Sequence, residues 1–117
     1  MDAGLSRRMK ALEYAEFGGN DRFRIAEREL AHSGPDTLVV RVVAAGLNPV
    51  DYKIREGYLR GVIDTQLPAV PGWDVAGIVE KVGLDTPEFA VGDAVVAYAR
   101  ADVVQHGSLA EFMPVPV

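Results

Sequence analysis

The sequence predicts a mostly β domain, a barrel or a sandwich, and three observations support this fold class. Stretches of strand length recur along the chain, turn-forming residues separate them about every 8 to 12 residues, and only one stretch carries the signals of a helix. At 117 residues the chain is long enough for one domain with its own hydrophobic core. Length and pattern therefore agree on a single β-rich unit.

Six stretches are predicted as strands. The alternation of apolar and polar residues in 23–30 is typical of a half-buried strand, whereas the nearly continuous valine-rich run of 38–45 indicates a central one. Gly77 lies inside a further strand, where a missing side chain indicates the close approach of another backbone segment. Residues 58–70 are expected to form an irregular connection, extended at its end, and residues 101–107 a loop. The predicted strands are 9–15, 23–30, 38–45, 75–82, 94–98 and 108–115.

A short helix is predicted over residues 49–56. Asn48 is a good N-cap, because its side chain can accept a hydrogen bond from a free N–H of the first turn. Pro49 then falls at the first helical position, where the missing N–H costs nothing. Asp51 lies in the first turn and suits the positive end of the helix dipole. Gly57 is placed to end the helix in the left-handed conformation.

Composition and charge exclude several classes of partner and site. Twelve basic and seventeen acidic residues give a net charge of −5, and the basic residues are scattered, which disfavours nucleic acid and anionic membranes. The sequence has no cysteine, which excludes disulfides and thiolate metal sites and fits a reducing, cytoplasmic location. Residues 1–8 lack the apolar core of a secretory signal and are expected to be a short N-terminal extension.

Five segments resemble the zinc-free medium-chain dehydrogenase/reductases, of which quinone oxidoreductases are the best-known members. The most informative is Asn-Pro-Val-Asp-Tyr-Lys-Ile-Arg-Glu-Gly at 48–57. The other four follow the family's order: Met-Lys-Ala at 9–11, Pro-Gly-Trp-Asp-Val-Ala-Gly at 71–77, Val-Gly-Asp at 91–93 and Gly-Ser-Leu-Ala-Glu-Phe at 107–112. Each segment is weak alone, but together they span nearly the whole chain.

The resemblance implies a GroES-like, partly open β-barrel with one or a few short helices over residues 9–117. It also implies that a nucleotide-binding Rossmann domain, in cis or in trans, completes the enzyme, since no Gly-x-Gly-x-x-Gly fingerprint occurs here. The complete protein would use NADPH to reduce quinones, enones or similar activated double bonds. The chain alone is expected to be inactive, and to self-associate through the surface that the second domain would cover.

The resemblance also implies that no metal is bound. In related zinc-dependent alcohol dehydrogenases a cysteine stands at the position of Asn48, a histidine at that of Trp73 and a glutamate at that of Asp74. Neither asparagine nor tryptophan is a credible zinc ligand. His32 and His106 are the only histidines, and neither has an acidic or cysteine partner at a recognisable ligand spacing.

Four residues are candidates for the reaction, and the resemblance supplies their roles. Asn48 would face the nicotinamide and donate from its amide to a developing oxyanion, besides capping the helix. Lys53 would polarise a carbonyl or contact the cofactor ribose, or else be a solvated helix residue. Tyr52 would donate a hydrogen bond or pack on the barrel. Tyr58 would donate a proton, although it directly follows Gly57, one residue earlier than the family pattern.

Two other interpretations stay open. The chain could be a stand-alone binding or assembly module that keeps the barrel and has no catalysis of its own. It could also be a co-chaperonin subunit with the same type of barrel, which would form a ring of several copies. The segment 48–57 and the Trp73-Asp74 turn match the reductases and disfavour the co-chaperonin.

Overall fold

The structure is a computed structural model that describes residues 8–30, 34–101 and 103–117, in which eight strands and one α-helix are present. The helix α1 (Pro49–Arg55) lies where the capping signals predicted it, and a single 3-10 turn (Asn20–Arg22) precedes the second strand. The strands are β1 (Arg8–Tyr14), β2 (Phe23–Glu29), β3 (Thr37–Gly46), β4 (Asp64–Val70), β5 (Asp74–Lys81), β6 (Ala94–Tyr98), β7 (Val103–His106) and β8 (Phe112–Pro116).

The strands of the described chain form two four-stranded sheets. One has the order β2-β1-β4-β7 and the other β6-β5-β3-β8. All pairings are antiparallel except that of β4 with β7. A bridge between Ala11 and Ala110 joins the two sheets on one side, and the edges do not close elsewhere. The predicted mostly β class and the partly open barrel are therefore confirmed.

The hydrophobic core has two parts. Inward residues of β3, β5 and β8 form one, in which Val40 and Val79 are almost completely buried. Tyr14, Ile54 and Trp73 belong to the other, which packs α1 against the first sheet. Burial alternates along β5, so its odd-numbered residues face the core and its even-numbered residues face outward.

Gly77 has the close backbone approach that the sequence indicated. A Cβ at this position would clash with the carbonyl oxygen of Arg41 on the neighbouring strand β3. The pairing of β3 with β5 shifts register between Val42 and Ala44, which marks a bulge opposite Gly77. Gly57 ends α1 with a φ of 88°, also as predicted.

Three predicted boundaries are wrong. The region 58–70 was expected to be irregular, but its last seven residues form β4, and 101–107, expected as a loop, contains β7. These two strands pair with each other in parallel, so neither is defined by a local turn. The last strand begins at Phe112 rather than at residue 108.

The N-terminal boundary also differs from the prediction. Arg8, which was assigned to the extension, is the first residue of β1 and lies opposite Glu29. Residues 1–7 and His32 lie outside the described residues. In the part of the chain that the structure describes, no helix is long and apolar enough to cross a membrane.

Candidate active site

Asn48 lies between the end of β3 and the start of α1, and a capping box fixes it there. It is the N-cap residue of α1, with extended backbone angles. The Asp51 carboxylate accepts a hydrogen bond from the Asn48 backbone N–H, with 2.7 Å between Oδ2 and N. This contact stabilises the first turn, as expected from helix-start chemistry. The predicted capping role of this position is therefore confirmed.

Asp51 has a structural environment rather than that of a free base. Its side chain is buried, and burial raises the pKa of Asp51 above its ordinary value. Hydrogen bonds from the backbone N–H groups of Asn48 and Gly72 lower that pKa again, but only in part. Asp51 therefore ties the start of α1 to the turn that carries Gly72, as a capping residue would.

The Asn48 side chain makes a direct hydrogen bond to Asp74. Its amide nitrogen Nδ2 donates to Asp74 Oδ2 over 2.8 Å. Asp74 begins β5 and lies opposite Gly46, the last residue of β3. A Cβ on Gly46 would lie only 2.9 Å from that of Asp74, so a glycine is needed for this approach. The partner of the Asp74 carboxylate is therefore the Asn48 amide, a contact that the sequence did not predict.

An open groove of about 520 Å³ begins at Asp74, the partner of Asn48, and follows the outer faces of β3, β5 and β6. Cross-strand register sets its walls, since Asp74 lies opposite both Gly46 and Tyr98. Its floor is small and apolar, and the Val96 and Tyr98 side chains are 83% and 66% exposed. The lining residues are Ala44, Ala45, Gly46, Asp74, Val75, Ala76, Val96, Ala97 and Tyr98.

Trp73 packs against Tyr98 at this end of the groove. Its side chain is buried with Tyr14 and Ile54. The Tyr98 ring meets it edge to face at a centroid distance of 6.1 Å, and the Arg100 guanidinium lies 5.6 Å from its ring centroid. The indole nitrogen can only donate, so Trp73 packs and orients and cannot ligate a metal.

The other three candidate residues lie on or after α1 and point to solvent. Tyr52 is 44% exposed and Tyr58 is 72% exposed, and Lys53 is also exposed. Among the described residues, no hydrogen bond or ion pair joins their side chains to Asn48. The structure therefore brings Asn48 and Asp74 together and leaves Tyr52, Lys53 and Tyr58 as an exposed rim.

Sequence reasoning missed two features of this site. Gly46 and Tyr98 were not singled out, because their importance comes from pairing with Asp74 across the sheet. One signal was present: the alternation of β6 places Ala94, Val96 and Tyr98 on one face, and two of these three side chains are large and apolar. Within residues 8–30, 34–101 and 103–117, no three potential ligands from His, Asp and Glu lie close enough together to hold a metal.

The two open sheets and the single helix of the described chain agree with a GroES-like domain, and the sequence supports the same class. The family model described as the alcohol dehydrogenase GroES-like domain matches residues 34–117. The chain belongs to this family.

Several known proteins of similar sequence and structure are oxidoreductases. The chain is 40% identical over 119 residues to the chloroplastic NADPH-dependent alkenal/one oxidoreductase of Arabidopsis thaliana, a match that covers 97% of this chain and 31% of that protein. The structure of the quinone oxidoreductase from Coxiella burnetii superposes with a TM-score of 0.82 at 27% identity, covering 94% of this chain and 35% of that one. These matches confirm the predicted membership of the quinone oxidoreductase-like medium-chain dehydrogenase/reductases.

The same fold also occurs with metals. A thermostable alcohol dehydrogenase from Pyrobaculum aerophilum, solved with cobalt and zinc, superposes with a TM-score of 0.81 at 28% identity, covering 94% of this chain and 40% of that one. The fold therefore does not decide whether zinc is bound, and the residues at the site must. The chain spans about a third of the length of the relatives that it matches.

Proposed function

We propose that the chain is the substrate-side domain of an NADPH-dependent, zinc-independent oxidoreductase that reduces quinones, enones or similar activated double bonds. The observation that carries the proposal is the Asn48–Asp74 hydrogen bond at the mouth of an open, apolar groove. The domain would comprise residues 9–117. The nucleotide-binding Rossmann domain would lie in the remaining two thirds of the length that the relatives have, or in a separate chain.

Asn48 would polarise the acceptor oxygen. A carboxylate can only accept hydrogen bonds, so Asp74 holds the amide with its nitrogen directed toward Oδ2. A primary amide has two N–H groups, and the second would donate to an acceptor oxygen placed beside Asp74. An uncharged donor fixed in this way can stabilise negative charge that develops on a quinone or enone oxygen. The apolar floor would hold the ring or chain of the acceptor.

The residues of the chain are compatible with a nicotinamide cofactor at this edge. NADPH, when bound, would supply the hydride. Asn48 offers a neutral donor, and Lys53 offers an exposed ammonium group that makes no ion pair among the described residues. Lys53 would contact the ribose or the acceptor carbonyl, and the exposed hydroxyls of Tyr52 and Tyr58 would donate a hydrogen bond or a proton. All four residues lie at the open end of the groove or on α1 and the turn after it.

Zinc independence rests on the chemistry of the residues at the positions of the zinc ligands. Asn48 uses its nitrogen for Asp74, and Trp73 has no lone pair to offer. Metal analysis of the protein from its native source should therefore find well under one zinc per chain, and activity should survive dialysis against a chelator. Stoichiometric zinc whose removal abolishes turnover would contradict this part of the proposal.

The test of the proposal is NADPH oxidation with a quinone and with an enone as acceptors. The protein from its native source should show saturable turnover, whereas the 117-residue chain alone should stay at the blank rate. Saturable turnover by the isolated chain would overturn the proposal that a separate nucleotide-binding domain is needed for activity. Absence of turnover in the native protein with every acceptor tried would overturn the proposed reaction. Cell fractionation tests the cytoplasmic location, which stays a prediction.

A stand-alone binding or assembly module is the second candidate, and the exposure of Val96 and Tyr98 favours it. Apolar side chains that share one sheet face tend to be covered by a partner. The isolated chain should then self-associate through this face. Light scattering at high concentration should show a dimer or larger species, and a Val96→Lys variant should return to the monomer. A wild-type monomer would contradict self-association.

A further inference from the structure

A second cavity lies at the unclosed side of the barrel, and its lining shares no residue with that of the groove beside Asp74. It has a volume of about 480 Å³ and lies between β7 of one sheet and β8 of the other, two strands that do not pair. This volume falls within the usual range for small-molecule sites. Its lining combines an apolar wall with a few polar groups. The lining residues are Thr37, Ala99, Arg100, Ala101, Val103, Gln105, His106, Pro114 and Pro116.

Arg100 differs from the other arginines of the described chain. Its guanidinium lies over the Trp73 ring, and within residues 8–30, 34–101 and 103–117 it has no oxygen acceptor. The stacking covers one face of the planar group, and its five N–H donors make no hydrogen bond to the residues that the structure describes, while the residue as a whole is exposed. Every other described arginine contacts an oxygen: Arg8, Arg22, Arg24, Arg28 and Arg41 contact carboxylates, and Arg55 and Arg60 contact backbone carbonyls.

His106 provides a second polar group without a partner. It lines the same cavity, and its Nδ1 is buried with no hydrogen-bond partner in the described chain. Burial lowers the pKa of His106, and the nearby charge of Arg28 lowers it further. The imidazole is therefore neutral at pH 7 and can donate one hydrogen bond without adding a charge. Because Nδ1 has almost no solvent-accessible surface, it does not open into the cavity, and His106 contributes the uncharged remainder of its ring to the lining.

We propose that the cavity between β7 and β8 binds a small organic anion, with its carboxylate or phosphate on Arg100 and its short apolar tail against Val103, Pro114 and Pro116. The fork of guanidinium donors matches the oxygens of either headgroup. Gln105 and Thr37 add neutral polar groups to the same lining. The site is separate from the Asn48 groove and does not depend on the proposed reductase activity.

Trp73 gives a direct readout, because it is the only tryptophan in the sequence and Arg100 stacks on it. Fluorescence of the 117-residue protein is titrated with hexanoate and with hexyl phosphate. Hexanol tests the tail alone, and inorganic phosphate tests the headgroup alone. We expect at least one of the two amphiphilic anions to saturate and to bind about tenfold or more tightly than either control. Saturation with hexanoate would identify a carboxylate as the preferred headgroup, and saturation with hexyl phosphate would identify a phosphate.

Variants decide whether Arg100 is responsible. Arg100→Gln should lose the preference for the anion over hexanol, while Arg60→Gln, which removes a guanidinium stacked on Phe17 elsewhere, should keep it. Nitrogen NMR of the wild type, following the Arg100 Nε–H and the His106 ring, gives a readout that needs no variant. Equal binding of hexanol and hexanoate, unchanged binding in Arg100→Gln, or no saturation below about 10 mM would overturn the proposal.

Discussion

Replacing Tyr14 by phenylalanine should stabilise the domain. The Tyr14 side chain is completely buried, and its hydroxyl has no hydrogen-bond partner in the described chain. A buried hydroxyl without a partner costs about 1 to 3 kcal/mol of desolvation. Its ring packs edge to face on Phe23 at 5.9 Å, and Tyr14→Phe keeps this contact. We therefore expect the free energy of unfolding to rise by about 1 kcal/mol at pH 7.

The same substitution should change the alkaline stability. Burial raises the pKa of Tyr14 to about 12, with Arg55 opposing the rise and Asp51 adding to it. The folded pKa lies above the unfolded value of about 10, so the folded state holds the proton more tightly. Wild-type stability from this group is complete below pH 10 and is lost between pH 10 and 12, by about 2 to 3 kcal/mol. Tyr14→Phe should lack this loss.

Urea unfolding, followed by Trp73 fluorescence from pH 7 to pH 11.5, measures both effects. Tyr58→Phe is the matched control, because Tyr58 is 72% exposed and its hydroxyl is solvated. The control should follow the wild type at every pH. A Tyr14→Phe variant less stable than the wild type at pH 7 would contradict the cost of the buried hydroxyl, and equal loss of stability in both proteins above pH 10 would contradict its titration.

Three further substitutions test other parts of the fold and the site by urea unfolding. Glu13→Gln should cost about 2 to 4 kcal/mol at pH 7, because Glu13 is buried and pairs with two arginines. Burial raises the pKa of Glu13, but Arg28 and Arg24 lower it below its ordinary value. The stability deficit of Glu13→Gln relative to the wild type should therefore shrink in acid. A stability deficit independent of pH would contradict this. Gly72→Ala should lower the free energy of unfolding by at least about 1 kcal/mol more than Gly92→Ala. Both glycines have a positive φ, but only a Cβ at Gly72 would clash with Ser108. Equal losses in the two variants would contradict the clash. Asp51→Ala should lower the free energy of unfolding by about 1 to 2 kcal/mol, and Asp51→Asn by less, because an amide oxygen can still accept the hydrogen bond from the Asn48 N–H. An equal loss in both variants would mean that the negative charge of Asp51, and not its hydrogen bond, stabilises the helix start.

Local signals predicted the parts of the fold that local physics determines. The helix α1 was placed within one residue, since Asn48, Pro49 and Gly57 each act within a turn of their own position. The strand β3 was recognised from its nearly continuous apolar run, and the first four residues of the strand are buried. The close approach at Gly77 followed from a glycine within a strand.

Long-range pairing determined what the sequence did not predict. The strands β4 and β7 pair in parallel across more than thirty residues of chain, and no turn between them marks the pairing. The contact of Asn48 with Asp74 likewise depends on the register of β3 against β5, which places Gly46 opposite Asp74. Tyr98 joins the groove through the pairing of β6 with β5. Asn48 was therefore recognisable from local sequence, but its contact with Asp74 and the parts played by Gly46 and Tyr98 were not.

The most direct test of the account is the steady-state kinetics of Asn48→Ala in the protein as it occurs in its native source. With a quinone acceptor and NADPH, kcat should fall by about 100-fold or more while KM for the acceptor changes little, because the amide would act mainly on charge that develops during the reaction. Asp64→Asn, which alters an exposed carboxylate at the start of β4, is the control and should match the wild type. An unchanged kcat in Asn48→Ala would contradict the central claim that this amide, held by Asp74, polarises the acceptor.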